Sequence, residues 1–273
     1  METNKIYYFD GEYNKVDKST KTAVENAYRK VQSTINPDFT NKLSIHVTSD
    51  FSNLPDNVSL FSNYLKTNEG SFSSTCGITT DDMNKREIFI QESAFWPTKL
   101  LNIFSSKLSF SANEEIEQTA MHEFGHAFDY YYGSDKNLQK EHQKLIEKYG
   151  QKQFEPVELL PEEEKIMKEY LKNNGYSDKK DFKEALAEDF KLLQLNFRHR
   201  QKFGYLFAEF YNRGLEITPD INDIELADYS RGEVFAQLFS YAMGTDDGNK
   251  DEFIKLLPNT YKIVQQYIHK HSK

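Results

Sequence analysis

The run His122–Glu123–Phe124–Gly125–His126 constrains the fold more than any other feature, because two histidines at this spacing can act together only on a helix. Residues four apart lie on one face of a helix, so both imidazoles can reach one metal ion. Glu123 then stands beside the metal, where a carboxylate can take a proton from water that zinc has made more acidic. This pattern is typical of metal-assisted amide hydrolysis; a structural histidine pair on a packed helix is the alternative.

The residues around this run predict the helix itself. Ser111 and Glu114 fit a capping box at its start, and Gly133 is a stop signal. An apolar stripe recurs between them at helical spacing: Ile116, Ala120, Phe124, Ala127, Phe128 and Tyr131. The two histidines lie off this stripe, which favours a site over a core position.

The chain has 273 residues, 38% of them hydrophobic, which is enough for one large core. No repeat, low-complexity tract or flexible linker marks a boundary. We therefore expect a single domain over residues 1–273. Its sheet-rich part should cover about residues 1–110 and its helical part about residues 111–273.

Composition limits which binding partners and which cellular compartment we expect for this protein. A net charge of −9 argues against nucleic acid as a partner, and the single cysteine, Cys76, excludes an internal disulfide. The opening residues Met1–Lys5 lack the apolar run of a secretory signal, and no run of about eighteen apolar residues predicts a membrane span. We expect a monomer made in the cytoplasm, which either acts there or is exported by a route that needs no signal.

Strand patterns occur in the first part of the chain. Ile6–Phe9 is strand-like and predicts an edge or an arm. A helix follows, with its apolar residues ending before Pro37. Leu43–Thr48 alternates apolar and polar residues, which predicts a half-buried strand with His46 on its solvated side.

A hairpin is predicted further along, formed by Phe72–Thr79 and Arg86–Gln91 and joined by the polar turn at 81–84. Residues 43–92 would thus form a small sheet above the histidine helix. The run Thr75–Thr79 is either an exposed edge that can receive an extended peptide as an added strand, or an ordinary covered strand.

A catalytic zinc site usually has three protein ligands, so a third must come from elsewhere in the chain. The metzincin pattern would place glycine at position 129 and histidine at position 132, but the chain has Asp129 and Tyr132 there. A glutamate from a later helix is the remaining common solution. Asp129, one turn beyond His126, is either an acceptor that orients an imidazole or a carboxylate on the helix surface.

Two glutamates compete for the third position. Glu184 lies among lysines in an acidic amphipathic helix, where ion pairing on a solvated face is the simpler interpretation. Glu233 is the single carboxylate of a short apolar helix, predicted to begin at Ser230 and to stop at Gly244. A buried carboxylate needs a charge partner such as a metal, but Ser230 and Glu233 also fit a capping box. The residues alone leave both interpretations of Glu233 open.

Two segments resemble one family of metalloproteases. The run His122–Asp129 looks like the zinc helix of the lethal-factor-type metalloproteases, a gluzincin group that also includes the Pro-Pro endopeptidases. Glu233–Ala236 with Phe239, followed by Leu257–Tyr261 and a final helix, resembles the end of that group.

The resemblance implies that Glu233 is the third zinc ligand. Glu184 stays the alternative, because it heads a family-like Glu-x-x-Ala-Glu-x-Phe pattern and lies nearer to the histidines. The resemblance also implies a tyrosine upstream of the glutamate that steadies the oxyanion, for which Tyr229 is the candidate. A merely structural Tyr229 is the alternative.

These observations predict an α+β, zincin-like metalloprotease domain with a small mixed β-sheet over an active-site helix and a mainly helical C-terminal half. The expected activity is that of a zinc-dependent endopeptidase acting on a protein or peptide bound as an extended strand. His122, His126 and Glu233 would hold Zn²⁺, Glu123 would be the general base, and Tyr229 the oxyanion donor. A non-proteolytic, zinc-stabilised binding or toxin-like interaction module is the alternative, against which the intact Glu123 argues.

Overall fold

The computed structural model describes residues 5–12, 15–55, 65, 77–80, 86–95, 112–149, 158–172, 175–193 and 223–273. These residues form an α+β structure with a small mixed sheet and many helices, which confirms the predicted fold class at this level. Within them, no helix combines the length and apolar character needed to cross a membrane.

The described residues form one four-stranded sheet. Its strands are β1 (Ile6–Phe9), β2 (Leu43–Thr48), β3 (Gly77–Thr79) and β4 (Arg86–Gln91), in the spatial order β1-β2-β4-β3. The first two strands and β4 run parallel, whereas β3 is antiparallel to β4. The predicted hairpin pairing is therefore confirmed, with β3 at an edge of this sheet. Residues 71–76, with Cys76, and the predicted turn at 81–84 lie outside the described residues.

The prediction of a half-buried β2 with a solvated His46 was wrong. All six residues of β2 are buried, and His46 is only 2% exposed. Its ring stacks on Phe89 at a centroid distance of 4.8 Å, and the rings of Tyr7 and Phe9 stack with it at 5.4 and 5.8 Å. The reason is tertiary: β2 is paired along both of its edges, and a second apolar cluster covers the face opposite the main core. That cluster contains Phe51, Leu54, Leu65 and Phe89.

Helices also form along the chain in the described residues. They are α1 (Lys18–Thr34), α2 (Pro37–Thr40), α3 (Ala112–Gly133), α4 (Lys136–Tyr149), α5 (Pro161–Lys172), α6 (Lys180–Leu193), α7 (Asp223–Ala242), α8 (Lys250–Leu256) and α9 (Pro258–Lys270). The helix predicted before Pro37 is α1, and the histidine helix is α3, which ends at Gly133 as predicted. Ser111 of its predicted capping box lies outside the described residues.

The central helix is α3, which packs on α1, on the sheet and on α7. Five residues of its predicted apolar stripe are each 0% exposed, namely Ile116, Ala120, Phe124, Ala127 and Phe128, whereas Tyr131 is partly buried. These residues share one hydrophobic core with the sheet, α7 and α9. The stripe therefore fixes the rotation of α3, and the histidines off the stripe turn toward α7.

The prediction that α7 begins at Ser230 was wrong, because the helix begins at Asp223. In the sequence, Asp223 and Glu225 favour a helix N-terminus in this earlier segment, since carboxylates in a first turn interact well with the positive end of the helix dipole. Ser230 is therefore a fully buried residue of the helix interior. A capping box needs a residue at the helix start, so this interpretation of Glu233 no longer applies.

Candidate metal centre

The two histidines of α3 meet at their Nε2 atoms. These atoms of His122 and His126 lie 3.1 Å apart, and the ring centroids are 4.8 Å apart in an edge-to-face arrangement. This is the geometry expected for residues one helical turn apart on a common face. Both rings are largely shielded from solvent and present the same ring nitrogen to one point.

Glu233 of α7 lies at that point. Its Oε2 is 3.1 Å from Nε2 of His122, and its Oε1 is 3.5 Å from Nε2 of His126. One ligand atom from each of the three residues lies within 4.8 Å of the others. This is the one group of its kind among the described residues. The structure thus brings Glu233 to two histidines from which the sequence separates it by more than a hundred positions.

A glycine sets the distance between the two helices. A Cβ added at Gly125, between the histidines, would lie 2.7 Å from Cα of Ala236 and 2.9 Å from its carbonyl oxygen. Such separations are well below ordinary van der Waals contact, so the backbones of α3 and α7 approach closely only because residue 125 has no side chain. Ala236 follows Glu233 by less than one turn, so this close contact holds Glu233 over the histidines.

Sequence reasoning missed Gln237. Its side-chain Oε1 lies 3.1 Å from Nδ1 of His122, and an amide oxygen can only accept, so Nδ1 donates. This contact assigns the hydrogen of a neutral His122 to Nδ1 and leaves the lone pair of Nε2 free to bind a metal. The signal was present in the spacing, because Gln237 is four residues after Glu233 and so shares its helix face.

The cluster pairs a negatively charged carboxylate, Glu233, with a positively charged imidazole, His126. Burial disfavours a charged imidazole, but the negative charge of Glu233 outweighs burial and raises the pKa of His126 to about 9. Burial likewise favours a neutral Glu233, yet the positive charge of His126 and the close polar contacts with both histidines hold the pKa of this carboxyl well below its usual range. In the metal-free protein at neutral pH, His126 therefore carries a proton that a metal ion has to displace.

Glu123 does not join this cluster. Its side chain is buried, with 6% of the residue exposed, and it turns toward the sheet. There Oγ1 of Thr79 on β3 lies 2.6 Å from its Oε2, within hydrogen-bond distance. The negative charge of Glu123 also raises the pKa of His126, so the carboxylate lies near the three candidate ligands without being one of them.

Asp129 has a different role from either predicted one. Oδ1 accepts a hydrogen bond from the backbone N–H of Ser177 at 2.8 Å, and Oδ2 accepts one from its hydroxyl at 2.6 Å. The residue is fully buried, and burial raises the pKa of Asp129 to about 6 against these two bonds. Asp129 is therefore not a carboxylate on the helix surface, and both of its oxygens accept hydrogen bonds from Ser177 rather than from an imidazole. These bonds connect α3 to the segment before α6.

The remaining candidate residues lie elsewhere. Glu184 on α6 has a side chain 63% exposed and 3.6 Å from the ammonium group of Lys180, in the ion pairing that its sequence neighbourhood favoured. The structure does not bring it to the histidines. Tyr229 belongs to α7, one turn before Glu233, but its side chain lies outside the described part of the structure.

No protein-family model matches the chain, and no curated protein shows significant similarity to it. The resemblance to the lethal-factor-type metalloproteases stays a prediction, carried by the histidine run and by the segment around Glu233.

Proposed function

We propose that this protein is a zinc-dependent metalloendopeptidase. The observation that carries the proposal is the position of Glu233, which lies against the two histidines. Glu123 is near enough for its charge to raise the pKa of His126. Random placement of a motif would not bring a carboxylate of the required type from a distant helix onto both imidazoles. The gluzincin-like resemblance rests on these same residues and points to the same activity.

The donor set fits zinc. Two imidazole nitrogens and one carboxylate oxygen form a common ligand set of catalytic zinc sites, and they leave a fourth position for water or substrate. Gln237 provides the outer hydrogen bond that usually orients a ligating histidine. When bound, a zinc ion lowers the pKa of water to about 7 and polarises a carbonyl group.

Glu123 supplies the acid–base chemistry of the proposed reaction. Its carboxylate accepts a proton as the water oxygen forms a bond to the carbonyl carbon of the peptide. The same group returns the proton to the amine nitrogen as the C–N bond breaks, so the carboxylate is regenerated. Tyr229 is the proposed hydrogen-bond donor to the oxyanion, a contribution of about 3–4 kcal/mol in comparable sites.

The proposed substrate is a peptide in extended conformation. β3 lies at an edge of the described sheet and is the strand that contacts Glu123. A sheet edge offers backbone donors and acceptors to an added strand, so a peptide bound there would run past the general base.

The test compares two variants with the wild-type protein. Glu123→Gln should keep one equivalent of bound zinc and lose cleavage of a diverse peptide library, whereas His126→Ala should lose both. Metal content and cleavage are measured with and without a chelator. Undiminished cleavage by Glu123→Gln contradicts the mechanism. Zinc-loaded wild-type protein without chelator-sensitive cleavage would instead support the non-proteolytic binding module.

A further inference from the structure

The short strand β3 presents two different faces. Its backbone pairs Ile78 with Phe89 of β4, and the side chain of Ile78 packs on the second apolar cluster around Phe51. Successive side chains of a strand point to opposite faces, so Gly77 and Thr79 face α3 instead. Both of these residues approach Glu123.

Thr79 holds one oxygen of the carboxylate. Its Oγ1 lies 2.6 Å from Oε2 of Glu123 and 3.0 Å from the backbone carbonyl oxygen of the same residue. A hydroxyl has one hydrogen, which goes to the charged and closer carboxylate oxygen when Glu123 is ionised. A hydrogen bond to a charged acceptor is shorter and stronger than a neutral one, so this contact restrains the side chain.

Gly77 lies against the other oxygen of the Glu123 carboxylate, Oε1. A Cβ added at this position would lie 2.7 Å from Cγ of Glu123 and 2.8 Å from its Oε1. The backbone of β3 therefore lies directly against the carboxylate and leaves no room for a side chain at residue 77. A glutamate has three rotatable side-chain bonds, and contact at both oxygens restricts it to one orientation.

We propose that Thr79 is the positioning residue for the general base, a role that rests on the proposed peptidase function. The hydroxyl of Thr79 touches neither metal nor peptide in this role. It acts through Glu123, whose carboxylate it keeps beside the ligand cluster in the orientation needed to accept a proton from water. Small errors in the placement of a catalytic group lower the rate of the chemical step more than they lower substrate affinity.

The test uses three single variants of the full chain. Thr79→Val removes the hydroxyl and keeps the shape, whereas Thr79→Ser keeps the hydroxyl. Thr80→Val is the matched control, because the hydroxyl of Thr80 accepts a hydrogen bond from the backbone N–H of Glu87 and makes no contact with Glu123. For each variant the zinc content, the unfolding midpoint, kcat and KM are measured.

Thr79→Val should keep its zinc and lower kcat by about 10- to 100-fold, with KM within roughly twofold of the wild-type value. Thr79→Ser should restore kcat to within about threefold of wild type, and Thr80→Val should leave kcat within about twofold. A wild-type kcat for Thr79→Val, or an equal loss in Thr79→Val and Thr79→Ser, would overturn the positioning role. Absence of chelator-sensitive cleavage by the wild-type protein would overturn the proposed function, and this role with it.

Discussion

The most informative single change is Gly125→Ala, in the middle of the histidine run. The added Cβ would lie 2.7 Å from Cα of Ala236, whereas carbon atoms in contact are about 3.5–4.0 Å apart. Because the obstacle is backbone, no side chain can rotate away. The variant can fold only if α3 and α7 separate locally by about 1 Å.

The magnitude follows from two opposing effects on the free energy of unfolding. Overpacking of this kind costs about 1–3 kcal/mol. Replacing glycine by alanine within a helix returns up to about 1 kcal/mol. We therefore expect a net loss of about 1–2 kcal/mol.

Zinc binding should weaken together with stability. Ligand positions in a metal site tolerate deviations of only about 0.2 Å, so a shift of about 1 Å in α7 moves Glu233 out of reach. A loss of zinc affinity of about 10- to 100-fold is expected.

The matched control is Gly232→Ala. Gly232 lies inside α7, next to Glu233, but a Cβ there would meet nothing within 4 Å. This variant should gain up to about 1 kcal/mol and keep its zinc affinity. Urea unfolding of the metal-free proteins and competition with a chromophoric chelator measure the two quantities. If Gly125→Ala matches Gly232→Ala in both assays, the close helix contact does not position the site.

Two further predictions concern the histidines. Gln237→Leu removes the acceptor of the His122 Nδ1 hydrogen and should lower zinc affinity by about 10- to 100-fold. Chelator competition measures this affinity, and an unchanged value refutes the orienting role of Gln237. The pKa of His126 is raised to about 9 in the metal-free protein, so the imidazolium persists through neutral pH and zinc must displace its proton. Apparent zinc affinity should therefore rise by about tenfold per pH unit from pH 7 and level off near pH 9. A flat profile over this range contradicts the protonated state of His126.

Local sequence determined the part of the site that lies on α3. The apolar stripe from Ile116 to Phe128 rotates the helix, and the four-residue spacing then places His122 and His126 on one face. These properties depend on helical periodicity alone, so a single sequence is sufficient to predict them. The antiparallel pairing of β3 with β4 was predictable for a similar reason, because a polar turn joins two nearby strand patterns.

Only the tertiary structure distinguishes Glu233 from Glu184 as the candidate third ligand. Glu184 and Glu233 both head helical Glu-x-x-Ala patterns, and although the lysines around Glu184 favoured a solvated face for it, local sequence does not specify which helix crosses α3. The choice depends on the backbone contact of Gly125 with Ala236, and the bond of Thr79 to Glu123 depends on the sheet edge that lies against α3. Burial of His46 has the same origin, since a second cluster covers a face that the alternating pattern left polar. Periodicity specifies which face of a helix or strand is apolar. Packing between elements that are distant in sequence decides which residues contact that face and the opposite one.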